Sequence, residues 1–438
     1  MPDNSTFDVQ GYIDNDALPF LHNKLGVTRT LNRSDEDYSK PLAYGTRGDV
    51  FAIKKPTRLN AETGLTFDST SATDGSFTEQ VLFVTADQLA NSRYAITDVE
   101  GAVYNVNGLL KTNPQSALDE LANKIDAYNA EQVAFAGYRA FGDFNIQSAQ
   151  NSTVGEVTQN IALFQSFGCA RDTYYVVPMG NAAQITQSGL QQFVMKRNEE
   201  IAVAGEIGEL NGAPYTKFLA TNLLPVHIAG TAADDATNFL TGYTIDSVNP
   251  TPPSNVFGSS QAGTTEIVLT GGTDGTTIVE NDMIDIGFLN TANPLRFLTY
   301  RGYIPSEAQV QGRVTSGGTF ASGTVTITIE PALIFDSANA DTNRNLNRPI
   351  IPGTDTLRIA ASHRAGAIYE GSYGYFVSPA LPMREPYPTG TKRDPELQIS
   401  MRAYYGAVFD RATKYFVHDV IYGFGAAPEG FGRILLPI

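Results

Sequence analysis

The chain has 438 residues, 42% hydrophobic and 17% charged, with 46 acidic against 30 basic side chains and a formal net charge of -16. That length asks for two or three cores at roughly 150 residues each, and the composition is that of a folded protein. Such acidity repels nucleic acid and anionic membrane at long range, so a DNA-binding enzyme would need a compensating basic stripe.

Cys169 is the single cysteine, which rules out an intrachain disulfide and any CxxC metal or redox motif. No apolar run reaches the length of a membrane-spanning helix, so none is expected. The opening Met1-Pro2-Asp3-Asn4-Ser5 lacks the basic and apolar regions of a secretory signal, so synthesis in a cytoplasm is expected.

Residues 1–45 are polar and aperiodic, with an acidic patch at Asp35-Glu36-Asp37, and read as an extended arm with little core of its own. Asp49 to Lys54 and Phe77 to Val84 read as strands. The segment between them is polar and rich in Gly and Thr, the pattern of a long hairpin leaving the body. Lys54, Lys55 and Arg58 form the best basic cluster. On a projecting hairpin they are expected to reach an acidic face of another copy in preference to phosphate.

Asn113-Pro114-Gln115-Ser116 opens the clearest helix, proline suiting a first turn. Leu118, Leu121, Ala122, Ile125, Tyr128, Val133 and Ala136 recur at helical spacing, with the end expected near Phe141. Val154, Val157, Ile161 and Phe164 mark a second helix, and Asp172 to Pro178 a buried strand. Ala182, Ile185, Gly189 and Phe193 mark a third helix. Helix, strand, helix is α/β organisation, and Asn211-Gly212 is a turn signal.

The pattern changes between Pro225 and Pro352. No helix is expected there, and no lysine occurs between Lys217 and Lys392. Strands are expected at Thr264–Thr270, Met283–Leu289 and Leu295–Tyr303. Thr324 to Glu330 alternates strictly, as a strand with one wet and one buried face does. Gly271-Gly272 and Gly317-Gly318 punctuate the turns. Several short strands so spaced suggest a small antiparallel barrel or sandwich, inserted into a host that supplies both ends of the chain. The host resumes at Asp355 to Ala361, and the aromatic strands Leu397–Phe409 and Lys414–Phe424 close it, re-entering beside the long helix.

No residue group here looks catalytic. His22, His227, His363 and His418 are scattered without HxxxH or HExxH spacing. His418 alternates with Phe416 and Val420 and is expected at a sheet surface. No serine occupies a GxSxG elbow, and Cys169 has no local partner. Gly271-Gly-Thr-Asp-Gly-Thr-Thr277 lacks the Gly-Lys-Ser/Thr ending of a phosphate loop and leads into no helix, so a turn is expected. Asn339, Asp341 and Asn343 have alternate calcium-loop spacing, but Arg344 replaces the glycine and the closing glutamate is missing. Asp282 and Asp285 could be drawn as glycosidase acids, although solvated acids are the default in so acidic a chain.

This order of parts resembles the major capsid proteins of tailed double-stranded DNA phages, with the Hong Kong 97-type fold. It is most similar to the coats of short-tailed Salmonella phages, which carry an inserted β-barrel. Two stretches carry most of the likeness. One runs from Thr265-Glu-Ile-Val-Leu-Thr-Gly-Gly272 through Glu280-Asn-Asp-Met-Ile-Asp285 to Thr324–Pro331. The other is Arg402-Ala-Tyr-Tyr-Gly406 with Tyr422-Gly423 and a glycine-rich tail.

The resemblance implies an α+β fold with an N-terminal arm at 1–45 and an extended loop at 46–85. A peripheral domain with a spine helix would take 86–150 and 395–438, an axial domain 151–224 and 347–394, and the inserted barrel 225–346. It implies no enzyme and no cofactor. The chain would assemble with itself into pentamers and hexamers of an icosahedral virion shell. That shell would enclose DNA without sequence-specific contact and without membrane. A separate scaffolding protein, a portal protein and possible decoration proteins are the implied partners. Lysine–asparagine crosslinking, made in one branch of the family, has no motif here to place its partners. The rival reading is a β-rich surface adhesin or polysaccharide-acting virion protein, which should show an export signal or a repeat.

Overall fold

The computed structural model describes residues 9–33, 50–54, 81–97, 106–146, 150–167, 172–189, 193–194, 206–210, 216–234, 241–249, 264–290, 293–299, 305–335, 345–383, 387, 389–408 and 413–438. It is a mixed α+β chain, mostly strands.

The first described segment corrects the reading of an arm without a core. Val9–Tyr12 (α1), a π-helical turn Ile13–Ala17, Leu18–Lys24 (α2) and a 3-10 turn Val27–Thr30 follow one another. Val9, Ile13, Ala17, Leu18, Leu21, Leu25, Val27 and Leu31 are all buried in the main core. Their spacing mixes three helix types, so no single period betrays it.

β1 (Val50–Lys54) and β2 (Val81–Thr85) pair antiparallel as the stem of a hairpin, with Val50 opposite Thr85 and Lys54 opposite Val81. The residues between lie outside the described ones. β3 (Gln88–Thr97) follows. The long helix α3 runs from Val106 to Ala136, 31 residues and roughly 46 Å. Pro114, expected in its first turn, is its ninth residue. The helix also ends before Phe141, because Arg139–Phe141 is a strand, β4. Leu118, Leu121, Ala122, Ile125 and Val133 are buried, as the helical spacing requires.

α4 (Val154–Ser166) starts at a capping box: Thr153 accepts from the Glu156 N–H while Glu156 reaches back to the Thr153 N–H. β5 (Thr173–Val177) and α5 (Met179–Gly189) follow. Phe193, expected in that helix, lies in the short strand β6 (Phe193–Val194). β7 (Glu206–Leu210), β8 (Thr216–Ala220) and β9 (Val226–His227) complete this stretch. Asn211 and Gly212, between the antiparallel β7 and β8, are outside the described residues.

Next come β10 (Tyr243–Asn249), β11 (Thr264–Thr270), β12 (Thr277–Ile278), β13 (Met283–Ile286) and β14 (Arg296–Leu298). β15 (Pro305–Ser316), β16 (Gly318–Thr319), β17 (Thr324–Leu333) and β18 (Thr356–Ile359) follow. The ring β13-β18-β10-β11-β17-β15 closes on itself through β13–β15, a six-stranded antiparallel barrel. Closure needs β18, so residues 356–359, assigned from sequence to the other body after Pro352, are a barrel strand. β18 is too short and too near Pro352 to show which sheet it joins.

The inward positions fill the barrel: Ile245, Ile267, Leu269, Ile284, Val310, Val314, Ile327, Ile329 and Leu357 share one buried cluster. In β17 Val325, Ile327 and Ile329 point in while Thr324 and Thr326 face solvent, as the alternation demands.

β19 (His363–Glu370), β20 (Gly374–Val377), β21 (Thr389–Arg393), β22 (Ser400–Val408), β23 (Thr413–Ala426) and β24 (Phe431–Leu436) end the chain. They divide between two sheets in a way the sequence does not show. β20 and β21 join β22, β23 and β3 in a five-stranded sheet. β24 instead lies between β4 and β19 in an eight-stranded sheet with β5, β6, β7, β8 and β9. The expected grouping of 395–438 with the first sheet and 347–394 with the second is therefore exchanged at these strands. α3 packs between them: Leu121, Ile125 and Val133 share a core with Ala365 and Phe431 of one sheet and with Met401 and Val420 of the other.

Ile327→Ala should cost about 2–5 kcal/mol, through lost burial and the cavity left behind. Thr326→Ala, one position away on the wet face, should stay within about 0.5 kcal/mol. Urea unfolding of the two variants checks both values.

Candidate functional site

Among the described residues, the expected candidates form no catalytic or metal-binding group. Lys54 is the last residue of β1; its side chain, Lys55 and Arg58 are outside the described residues, as are Cys169, Asn339, Asp341 and Asn343. Gly271 to Thr277 is a turn between β11 and β12, with Gly271 and Gly275 at positive φ. Among the described residues, no group of three or more His, Cys, Asp or Glu side chains is placed to hold a metal. A shallow groove at the start of α4, lined by Thr153, Val154, Gly155, Thr158, Gln159, Ala162 and Ser188, has no ionisable wall.

Asp282 and Asp285 are fully buried, not solvated. Asp282 accepts from the Val279 N–H at 2.8 Å and meets His227 Nε2 at 2.8 Å. Asp285 accepts two bonds from Arg358, at 3.1 and 2.9 Å. Burial, which outweighs Arg358, pushes its carboxyl up to about 6. Asp282 ties the barrel's Val279 turn to His227 of β9, and Asp285 ties two barrel strands together, so neither faces a substrate.

The strongest polar constellation lies where the barrel meets the end of α3. A helix leaves its last carbonyls unpaired and carries partial negative charge there. Arg433 on β24 donates from Nε to the Ala134 carbonyl at 3.2 Å and from Nη1 to the Asn281 carbonyl at 2.6 Å. Arg313 on β15 donates to the Phe135 carbonyl and pairs with Glu330. Two arginines, one from the sheet and one from the barrel, thus cap one helix end and meet at Asn281.

The Arg433 guanidinium lies over the Phe135 ring at 4.8 Å. Burial, and to a lesser degree Arg313, push its pKa down to about 9, so it stays charged at neutral pH. Nearby, Tyr138 and Phe167 stack edge-on to Phe297 of β14, and the Ala140 N–H donates to Gln311 Oε1 at 2.7 Å.

Sequence reasoning missed both arginines. The signal for Arg433 is a lone cation inside the apolar run Phe431-Gly-Arg-Ile-Leu-Leu436. Asp126 was missed too. It sits on the apolar stripe of α3 between Ala122 and Asn129, at helical spacing. Its buried carboxylate accepts from the Gly26 N–H at 2.6 Å and the Thr28 N–H at 3.0 Å, which fastens the N-terminal segment to the helix. Burial, against these bonds, raises its pKa.

The histidines are structural. His22 lies 2.9 Å from Asp394 and 3.4 Å from Glu396. His227 and His363 face each other across the β9–β19 pair, ring centres 5.4 Å apart. His363 Nδ1 meets the Ala361 carbonyl at 2.8 Å. Burial first, then Arg433, pushes its pKa down to about 3. His418 is fully buried, correcting the expected surface position. Tyr12 of the N-terminal segment covers it, with Tyr12 Oη 3.2 Å from Nε2, and burial pushes its pKa down to about 4.

No family model matches the chain and no curated protein matches it. Solved structures similar to it over most of its length include the capsid of Ralstonia phage GP4, with 8% identity over 93% of this chain and 87% of that chain and a TM-score of 0.40. The capsid structure of the cyanophage P-SCSP1u has 10% identity over 93% and 88%, with a TM-score of 0.38. The head structure of Helicobacter pylori bacteriophage KHP40 has 9% identity over 100% and 93%, with a TM-score of 0.35. No described helix is long and apolar enough to cross a membrane.

Arg433→Met should destabilise the chain by on the order of 3 kcal/mol, because two buried carbonyls lose a charged donor. Denaturant unfolding of parent and variant measures it. His418 adds a pH term. Its native pKa of about 4 lies below the unfolded value near 6.5, so the unfolded state binds the proton first. The stability it contributes is complete above about pH 6.5 and is lost as pH falls toward 4. His418→Phe should therefore gain on the order of 3 kcal/mol relative to the parent between pH 7 and pH 4, read from unfolding curves across that range.

Proposed function

We propose that this chain is the major capsid protein of a tailed double-stranded DNA phage, building the icosahedral head shell by tiling copies of itself. The observation that carries the reading is the order and joining of parts. A hairpin stem leaves the body, a long helix lies between two sheets, and a closed barrel sits between β9 and β19 and is fastened to the helix end. The polar groups buried along this line bind one another and the backbone, which suits a load-bearing part. The sequence resemblance to the short-tailed Salmonella phage coats points the same way.

In this reading residues 1–45 are the N-terminal arm, with 9–31 docked on the spine helix, and 46–85 are the extended loop. α3 with the five-stranded sheet is the peripheral domain, and the eight-stranded sheet with α4 and α5 the axial domain. The inserted barrel runs on to Ile359. Lys54, Lys55 and Arg58 meet acidic faces of neighbouring copies. The work is geometric, not catalytic, and takes no cofactor. Its partners in assembly are a separate scaffolding protein and a portal protein. The shell forms in the host cytoplasm and ends as the virion wall. Inward-facing carboxylates keep packaged DNA from adhering to it.

Contacts between copies must be weak singly and strong together, so that errors dissolve before the lattice closes. Electron microscopy of the full chain co-expressed with its upstream neighbour should show closed shells or sheets. Discrete monomers or trimers at every concentration would overturn the reading.

A further inference from the structure

The stem of the β1–β2 hairpin lies across the second half of β23, closer than side chains permit. A Cβ at Gly423 would stand 2.1 Å from the Thr85 carbonyl oxygen and 2.9 Å from Ala86 Cα; one at Gly425 would stand 2.2 Å from Val84 Cγ2. Non-bonded atoms settle near 3.5–4.0 Å, so β2 can seat there only on glycine. Val84, Ala86, Tyr375 and Val377 are buried around the seat, with Leu82 and Ile421 beside them. β1 is bonded to β2 in unbroken register, so the direction of β2 is the direction of the whole stem. On the sheet side, Gly423 and Gly425 pair with Val377 and Tyr375 of β20, which holds that floor in place.

We infer that Gly423 and Gly425 are positioning residues: a saddle that sets the direction in which the hairpin leaves the body, and so where it meets a second copy of the chain. This rests on the shell reading. Two features separate it from ordinary packing. Both close contacts are with the stem, so an added methyl lifts or tilts the stem by about 1 Å. The seat is also a small cluster apart from the core around α3. The stem can therefore tilt while that core stays packed. A small tilt at the base turns the whole stem, and with it the contacts that the shell reading gives to residues 46–85.

The test uses Gly425→Ala and Val84→Ala, singly and together, in the full chain. Val84→Ala removes the methyl that the new Cβ would strike, so the double variant should regain the seat. G425A should lower the yield of regular closed shells about tenfold in favour of irregular or open particles, and the double variant should recover most of it. Regular shells from G425A at the parent yield would overturn the saddle. So would a double variant as defective as G425A while V84A assembles normally. If G425A does not fold alone, the double variant against V84A decides by the same yields. If the parent itself forms no shells, the shell reading fails first. The saddle is then judged by hydrogen exchange at residues 81–85, which G425A should speed and the double variant restore; unchanged exchange would overturn it.

Discussion

A helix that ends inside protein has no water for its last carbonyls, and that constraint organises this molecule. α3 ends between the eight-stranded sheet and the barrel. The cost of stranded carbonyls there, roughly 1–3 kcal/mol each, is avoided by bringing in two arginines. Arg433 comes from the last strand of the chain and Arg313 from the barrel. Because both also touch Asn281, the helix end fixes the barrel against the sheet. The same junction requires the chain's end to return to the middle of the fold: β24 runs parallel to β4, directly after the helix it caps. Removing the barrel therefore would not leave an intact host, because it would take away Arg313 from the Phe135 carbonyl and Asp282 from the buried His227 of β9.

Several polar groups inside this protein join separate segments of the chain. Asp126 holds residues 26–28, Arg348 holds Asp355 by two bonds of 2.7 Å, and Arg358 holds Asp285 while lying between Phe144 and Phe288. Buried ion pairs stabilise little on balance, since desolvation offsets most of their attraction. What they supply here is direction. An apolar face can slide by an ångström at small cost, whereas a carboxylate accepting two backbone N–H groups cannot.

The parts legible in sequence were those governed by one period. The stripe of α3, the apolar spacing of α4, the alternation in β17 and the barrel's change of texture all follow from local spacing. What stayed hidden depends on partners far along the chain. The N-terminal segment switches helix type within a few residues, so Val9, Ile13, Leu18 and Leu21 show no single repeat, although all four are buried. β18 and β24 are short strands whose sheet is decided by what they face, and both were grouped with the wrong neighbours. The site residues failed for a related reason. Asp126 and Arg433 read as interruptions of apolar patterns, and such a charge becomes informative only when its partner is known. His418 looked like a surface residue because its cover, Tyr12, lies 406 residues away.

Two kinds of attachment therefore coexist in one chain, and they suit different tasks. The N-terminal segment, the barrel and the long helix are tied by buried charged groups with defined directions. The hairpin stem is seated on two glycines and a handful of apolar side chains, where contact depends on closeness alone. Directional bonds fix the parts of the body at set angles. The glycine floor instead lets the stem lie closer than a side chain would allow, so its direction is set by contact distance. The junction and the seat are thus complementary: the first fixes the body by directional bonds, and the second holds the stem by close contact alone.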